Sequence, residues 1–173
     1  EMGVGNTSAA ALLLARLAEL DIADCTGAGA GLDNVGLDRK IKVLSQVLQR
    51  HSYAAGPMAA LTAFGGFEIA TMVGAVLQAA HERRVVMVDG FTACAAVMVA
   101  QALVPQVLGY CVFAHRSGER GHRLMLEHMG ANPLLDLGLR VGEGTGAALA
   151  WPLLVSVCQL MAEMARLPSK DAQ

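Results

Sequence analysis

Aromatic and charged residues are scarce in this sequence. Phe, Trp and Tyr make up 4% of the 173 residues and Asp, Glu, Lys and Arg 16%, whereas 54% are hydrophobic. The interior must therefore be built from Ala, Val, Leu, Ile and Met, a mixture typical of helices packed closely on a sheet, and the length suffices for one sizeable core. A formal charge of −2 gives no broad attraction to nucleic acid or anionic lipid, so we expect neither as a partner.

Common cofactor and metal motifs are missing as well. The sequence contains no Gly-x-x-x-x-Gly-Lys-Ser/Thr, no His-Glu-x-x-His, no Gly-x-Ser-x-Gly, and no complete Gly-x-Gly-x-x-Gly after a predicted strand. P-loop ATP hydrolysis, standard NAD binding and zinc chemistry are therefore disfavoured, and we expect neither a cofactor nor a metal. The four cysteines form no Cys-x-x-Cys pair, which indicates free thiols in a reducing cytoplasm.

Two long apolar stretches raise the question of a membrane span. Residues 90–104 are too few, and residues 147–164 contain Pro152, Gln159 and Glu163. A span needs about 20 predominantly apolar residues, so both stretches are predicted to be buried helices. No charged start followed by an apolar core and a cleavage site marks a signal peptide.

Apolar runs alternate with helical patterns along the second half of the chain. The clearest strand is predicted from Arg84 to Asp89, because Val85 to Val88 form a continuous β-branched-rich run, typical of a strand buried on both faces. Further strands are predicted at residues 110–114 and 134–139. Helices are predicted over residues 9–20, 38–49, from 58, 69–82, 91–103, 122–129 and 147–166, with an irregular loop at 21–36 and a tail at 168–173. This order predicts an α/β fold with a doubly wound, Rossmann-like parallel sheet flanked by helices.

Polar residues follow these strands at the edge where such sheets bind ligands. Asp89 follows the first strand, the segment His115–Ser117 the second, and Glu143 the third. Glu143 lies in Gly142-Glu143-Gly144-Thr145-Gly146, where a carboxylate able to act as a base has beside it backbone N–H groups that can approach a ligand closely. The alternative is that Glu143 merely favours the positive end of the following helix.

The chain opens on a Gly-rich turn. Gly3 and Gly5 precede a predicted helix that begins with the good N-cap residues Asn6, Thr7 and Ser8, and such an N-terminus suits a phosphate. A plain tight turn is the alternative. No strand precedes the turn, which suggests a piece of something longer.

Two other segments carry weaker signals. Arg39, Lys40 and Lys42 lie in the first turns of the predicted helix 38–49, against the preference of the helix dipole. At least one of them is therefore expected to meet an anionic ligand, unless they form a solvated basic face. Gly65 and Gly66 separate two apolar helices, and make a sharp turn or let the backbone lie against a ligand.

Taken together, these segments resemble the C-terminal half of the nicotinate-nucleotide:dimethylbenzimidazole phosphoribosyltransferases, enzymes of cobalamin lower-ligand assembly. The matching segments span nearly all of the chain in the family's order: Glu1-Met2-Gly3-Val4-Gly5-Asn6-Thr7, Gly31-Leu32-Asp33 with Arg39-Lys40, Gly65-Gly66-Phe67-Glu68-Ile69-Ala70, Val88-Asp89-Gly90-Phe91, His115-Arg116-Ser117 with Gly121-His122-Arg123, and Leu135 to Arg140 running into Gly142 to Gly146.

The resemblance implies a reaction and a set of site residues. The family moves phosphoribose from nicotinate mononucleotide to a benzimidazole nitrogen, releasing nicotinate and forming α-ribazole 5′-phosphate with inversion at the sugar carbon. By this resemblance Glu143 is the catalytic base and Glu1 a second active-site carboxylate near the sugar. The resemblance also matches Gly3, Lys40 and Ser117 to residues that contact the phosphate. It places Asp89 and Gly90 on the ribose side. The other implied substrate-binding residues are Gly5, Asn6, Gly65, Gly66, Gly142, Gly144 and Thr145.

The resemblance also implies an organisation. Residues 1–150 correspond to the phosphoribosyl-binding and catalytic α/β portion, and residues 151–173 to a helix and tail that contribute to a small helical domain. The family's N-terminal half, which supplies an early strand and much of the pocket for the base, is absent, and a homodimer is implied. Two alternatives stay open: a catalytically inactive nucleotide-binding fragment, and an assembly module whose apolar helices await a partner.

Overall fold

The computed structural model describes residues 1, 3–29 and 31–164, which form a mixed α/β fold that is mostly helical. The helices are α1 (Thr7–Leu17), α2 (Ile22–Cys25), α3 (Asn34–Arg50), α4 (Pro57–Phe64), α5 (Phe67–His81), α6 (Phe91–Leu103), α7 (Arg120–Met129) and α8 (Thr145–Glu163); a 3-10 helix covers Pro105–Tyr110. The strands are β1 (Val86–Val88) and β2 (Cys111–Phe113). The predicted end of the last helix at Arg166 and the tail at 168–173 lie outside the described residues.

The two strands pair in parallel, with Val86 opposite Cys111 and Val88 opposite Phe113. Within the described residues this sheet has two strands, and it does not establish the doubly wound arrangement that the sequence predicts. β1 is less buried than expected: Val88 is buried, but Val85, just before the strand, is 58% exposed. The expectation of a strand buried on both faces is therefore wrong for the start of this segment.

The predicted third strand, residues 134–139, is reduced to a short continuation of the ladder. Leu134 and Leu135 donate backbone hydrogen bonds to Phe113 and Ala114, and His115 forms a single parallel bridge with Leu135. Beyond this point the chain bends away at Gly138, whose φ is +64°. An apolar run is thus not sufficient for a strand when a left-handed glycine interrupts it.

The segment 21–36, predicted to be an irregular loop, contains regular structure. The Asp21 carboxylate accepts a hydrogen bond from the Ala23 N–H and begins α2, and the Asp33 carboxylate accepts one from the Gly36 N–H and begins α3. Because α3 starts at Asn34, Arg39 and Lys40 lie beyond its first turn. The dipole argument for an anionic ligand there was therefore wrong, since the effect is confined to the first turn.

Helix α6 is the centre of the core. Its consecutive residues 94–100 are each at most 1% exposed, and the helix packs against α1, α4, α5 and α7. The many alanines allow close helix contacts, and the prediction of a buried helix at 91–103 is confirmed. β1 leads directly into α6, so this helix holds the sheet edge in place.

Helix α8 differs from the prediction of a buried helix. Only its first turns are buried, at Gly146 and Ala150, whereas Trp151, Leu160 and Met161 are 57–81% exposed. Its length and hydropathy also meet the criterion for a membrane span, although buried helices of water-soluble proteins meet it too. An apolar helical pattern indicates a helix whose surface is buried against other residues. The described residues bury little of the surface of α8.

Candidate active site

The carboxyl ends of the two strands open onto a cavity of about 730 Å³. Asp89 and Gly90 lie between β1 and α6, and His115 and Ser117 follow β2. The segment 139–144, just before α8, and Glu1 at the start of the chain also line it. The predicted site residues that line the cavity are Glu1, Asp89, Gly90, Ser117, Gly142, Glu143 and Gly144.

Backbone hydrogen bonds hold these loops together. The Arg116 N–H donates to the Leu135 carbonyl at 2.9 Å, and the Gly118 N–H donates to the Leu139 carbonyl at 3.2 Å. The Arg116 guanidinium forms an ion pair with Asp136 across the same two segments. The loop after β2 therefore holds in place the segment that leads to Glu143.

Glu143 lies in an unusual turn. Its φ is +56°, and the flanking Gly142 and Gly144 have φ values of +77° and +76°. The Thr145 N–H donates to the Gly142 carbonyl at 3.0 Å, which closes the turn immediately before α8. A residue other than glycine in this region costs of order 1–3 kcal/mol, and such conformations cluster at functional sites. The Glu143 side chain is exposed and lines the cavity.

Glu1 is fixed by the turn that follows it. Its carboxylate accepts hydrogen bonds from the Gly3 N–H at 2.9 Å and from the Asn6 side-chain amide. The side-chain oxygen Oδ1 of Asn6 in turn accepts a hydrogen bond from the Thr92 hydroxyl at the start of α6. Asn6 is at the N-cap position of α1 but does not cap it, contrary to the prediction, because its side chain is committed to Glu1 and Thr92.

Asp89 joins the sheet edge to the start of α8. Its Oδ1 accepts a hydrogen bond from the Ala147 N–H at 2.9 Å and lies 3.7 Å from Nδ1 of the buried His115. Gly146 lies directly against the His115 ring: a Cβ there would be 1.8 Å from Nδ1. The first turn of α8 therefore packs against Asp89 and His115, and its Thr145 and Ala147 N–H groups are already paired, with the Gly142 carbonyl and the Asp89 carboxylate.

Comparison with known proteins shows the family of the chain. A family model described as Phosphoribosyltransferase matches residues 1–171. The chain belongs to this phosphoribosyltransferase family. Proteins named nicotinate-nucleotide–dimethylbenzimidazole phosphoribosyltransferase are 66% identical in Variovorax paradoxus (95% of this chain, 47% of that protein) and 59% identical in Cupriavidus necator (95% and 48%). The crystal structure of CobT from Thermus thermophilus is similar, with a TM-score of 0.88 at 37% identity over 93% of this chain and 48% of that one.

The resemblance to the C-terminal half of these phosphoribosyltransferases is thereby confirmed. The chain spans about half the length of the curated relatives it matches.

Several predicted site residues of this phosphoribosyltransferase chain do not line the cavity: Gly3, Gly5, Asn6, Lys40, Gly65, Gly66 and Thr145. Gly3 and Asn6 contact Glu1, as described above. Gly65 and Gly66 lie at the turn before α5, and the Glu68 carboxylate covers Gly66 and approaches Gly3. Glu68 therefore connects the turn at Gly65 and Gly66 to the first loop of the chain.

Lys40 contacts a residue that lines the cavity. Its ammonium group donates hydrogen bonds to the Thr7 hydroxyl and the Gly27 carbonyl, each at 3.1 Å, and Thr7 itself lines the cavity. Burial lowers the pKa of Lys40, and the negative charge of Glu119 partly opposes that shift. Lys40 thus places a half-buried cation next to the first turn of α1.

His122 lies in the matched segment Gly121-His122-Arg123, but the sequence alone predicts no role for it. It is fully buried on the inner face of α7, and its Nδ1 and Nε2 contact Ser117 and Cys94. Burial first, and His115 second, lower its pKa to about 4, whereas Asp89 acts in the opposite direction. The signal was available: His122 shares helical spacing with the buried Met125, Leu126 and Met129.

Proposed function

We propose that this chain is the catalytic half of a nicotinate-nucleotide–dimethylbenzimidazole phosphoribosyltransferase. The substrates are nicotinate mononucleotide and 5,6-dimethylbenzimidazole, and the products are α-ribazole 5′-phosphate and nicotinate. The observation that carries the proposal is that Glu1 and Glu143 line one cavity with the Ser117 loop and the segment before α8. The names of the relatives support an enzyme over an inactive binding fragment or an assembly module.

Glu143 has the chemistry of the base. A benzimidazole has one N–H and one nitrogen with a free lone pair. When the Glu143 carboxylate takes the N–H proton, the other nitrogen attacks the sugar carbon. The bond from that carbon to the nicotinate nitrogen breaks, and its electron pair leaves with the nicotinate. A positioned base contributes about 10²–10⁴-fold to the rate.

Glu1 and the glycines stabilise the ribose and phosphate. Positive charge develops on the ribose as the bond to nicotinate breaks, and the Glu1 carboxylate offsets it. Ser117 and Lys40 are proposed to bind the phosphate, together with the backbone N–H groups of Gly142 to Gly144, where the start of α8 favours negative charge. Asp89 and Gly90 are proposed to face the ribose. We assign no metal or cofactor to this reaction.

We further propose the organisation of the whole enzyme. The two parallel strands belong to a doubly wound sheet completed by the N-terminal half that the relatives carry. Residues 1–150 are the catalytic α/β portion, and residues 151–173 join a small helical domain, which accounts for the exposed apolar side chains of α8. The active form is a homodimer in the cytoplasm.

Substitution of Glu143, the proposed catalytic base, tests the proposal. The assay uses this chain joined to the N-terminal half that its relatives carry, hereafter the full-length protein, and measures α-ribazole 5′-phosphate formation. We expect Glu143→Gln to lower turnover about 10²–10⁴-fold and to leave the Kd for nicotinate mononucleotide nearly unchanged. Glu127→Gln, which removes an exposed carboxylate paired with Arg123 on α7, is the control. Normal turnover in Glu143→Gln removes the residue from this role.

The phosphate assignment is tested separately. Lys40→Ala is expected to raise the Kd for nicotinate mononucleotide about tenfold, the worth of a hydrogen bond to a charged group. Lys42→Ala, an exposed cation on the same helix, is the matched control. Equal affinities in the two variants contradict the role of Lys40.

A further inference from the structure

Ser117 lies between the cavity and a buried histidine. The Ser117 N–H donates a hydrogen bond to His122 Nδ1 at 3.0 Å, and the Ser117 hydroxyl lies 2.9 Å from the same nitrogen. His122 is 0% exposed and does not line the cavity, so it acts on a ligand through its neighbours, and Ser117 is the cavity-lining residue to which it is hydrogen-bonded.

The contacts of His122 fix its tautomer. Because Nδ1 accepts a hydrogen bond from a backbone N–H, it carries no proton, and the single proton of the neutral ring is on Nε2. The Nε2–H then donates to the Cys94 sulfur at 3.1 Å, within the buried part of α6. A polar chain therefore runs from α6 through α7 to the loop after β2.

This arrangement leaves the Ser117 hydroxyl free to turn. The backbone N–H of Ser117 satisfies Nδ1 by itself, so the hydroxyl hydrogen can leave Nδ1 for a ligand oxygen without creating a buried unpaired acceptor. The Glu119 N–H lies 3.4 Å from the Ser117 oxygen and is its hydrogen-bond donor, which favours a hydroxyl that donates outward.

We propose that His122 is a positioning residue, whose Nδ1 holds the Ser117 backbone so that the Ser117 hydroxyl donates to a phosphate oxygen in the cavity. The identity of that oxygen rests on the proposed function. The role belongs to the Nδ1 side of the ring, and the bond to Cys94 only orients the imidazole.

Two substitutions separate the two sides of the ring. In His122→Asn the side-chain oxygen takes the place of Nδ1 and can still accept from Ser117, whereas the bond to Cys94 is lost. In His122→Gln the amide nitrogen takes the place of Nε2 and can still donate to Cys94, whereas the acceptor for Ser117 is lost. Cys94→Ala removes the bond to the sulfur and keeps the histidine.

The readout compares ligands with and without phosphate. Calorimetry on the full-length protein measures the Kd for nicotinate mononucleotide and for nicotinate riboside. We expect His122→Gln and Ser117→Ala each to weaken binding of the mononucleotide about tenfold and to leave riboside binding within about twofold, with His122→Asn and Cys94→Ala close to the unchanged protein. The double variant His122→Gln with Ser117→Ala is expected to bind no more weakly than Ser117→Ala alone, because the histidine acts through the serine.

The outcomes distinguish this inference from the proposed function. If Ser117→Ala leaves mononucleotide affinity unchanged, the phosphate assignment of Ser117 fails, and with it this role of His122. If Ser117→Ala weakens the affinity but His122→Gln does not, or if the two effects add, the inference about His122 alone is overturned. Should His122→Gln not fold, His122→Asn still decides: a tenfold loss of affinity in that variant contradicts the assignment to Nδ1.

Discussion

Among the glycines of the described residues, Gly146 is the one at which a Cβ would come closest to a neighbouring atom. The His115 ring occupies the space that any Cβ at Gly146 would need, and His115 is 4% exposed, so it has little room to move. The same backbone brings the Ala147 N–H to the Asp89 carboxylate. The close approach of two polypeptide segments, and not conformational freedom alone, requires glycine here.

We therefore predict that Gly146→Ala destabilises the chain by about 1–3 kcal/mol, the usual cost of overpacking, and displaces the Glu143 turn. Chemical denaturation measures the change. Gly74→Ala is the matched control, because a Cβ at Gly74 meets nothing within 4 Å on α5 and the substitution is expected to stabilise by about 0.5–1 kcal/mol. A Gly146→Ala variant as stable as the parent chain contradicts the packing described.

A second prediction at this scale concerns pH. The lowered pKa of His122, about 4, lies below the 6.5 of an unperturbed histidine, so between these values the unfolded chain binds more protons than the folded one. The contribution of neutral His122 is complete above pH 6.5 and is lost as the pH falls towards 4, at about 1.4 kcal/mol per unit of pH. The groups that face the ring are His115, Asp89, Cys94 and Ser117.

Urea unfolding between pH 7 and pH 4.5 measures whether the chain loses stability as the pH falls. Carboxylates titrate in the same range, so the comparison is between the parent chain and His122→Asn, which has no titrating ring at this position. We expect the parent chain to lose more stability than the variant as the pH falls. Parallel pH profiles would show that His122 does not contribute.

At the scale of elements, local patterns predicted helices better than strands. The helix at 91–103 was predictable because its apolar residues form one long run, and the glycines and carboxylates at strand ends indicated which loops meet. The structure of the segment 134–139 could not be predicted in the same way, because Gly138 interrupts a run whose composition suits a strand. The helices in 21–36 depend on two aspartate caps, Asp21 and Asp33, which hydropathy does not reveal.

His122 shows the corresponding limit for the site. The sequence predicts its position on an apolar helix face. Its contact with Ser117, however, depends on how α7 packs below the loop after β2. Likewise, the proximity of Asp89 to the start of α8 joins residues far apart in the sequence. Such pairings follow from tertiary packing, which a single sequence does not specify locally.

The exposed side of α8 yields a prediction for the isolated chain. Trp151 and Leu160 are 57% and 61% exposed within a largely apolar helix, and exposed apolar patches of this kind promote association. We expect the 173-residue chain to self-associate with increasing concentration in light scattering. Trp151→Gln with Leu160→Gln is expected to reduce association and to change the free energy of unfolding by less than about 0.5 kcal/mol per site, as for exposed positions. A chain that stays monomeric at high concentration contradicts this prediction.

At the scale of the whole molecule, loops that are distant in the sequence form one cavity beside a small parallel sheet. Glu1 precedes α1, Ser117 follows β2, and Glu143 precedes α8, yet all three line the same space. The relatives carry a further half that this chain does not contain, and the proposed pocket for the base lies partly there. The central claim is therefore geometric: phosphate, ribose and base bind in a defined order across this cavity.

A crystal structure of the full-length protein with α-ribazole 5′-phosphate tests that claim most directly. We predict the phosphate beside Ser117 and Lys40, the ribose beside Asp89 and Gly90, and a benzimidazole nitrogen within about 2.6–3.2 Å of the Glu143 carboxylate. A ligand bound outside this cavity, or a Glu143 carboxylate turned away from the ring nitrogen, would contradict the account.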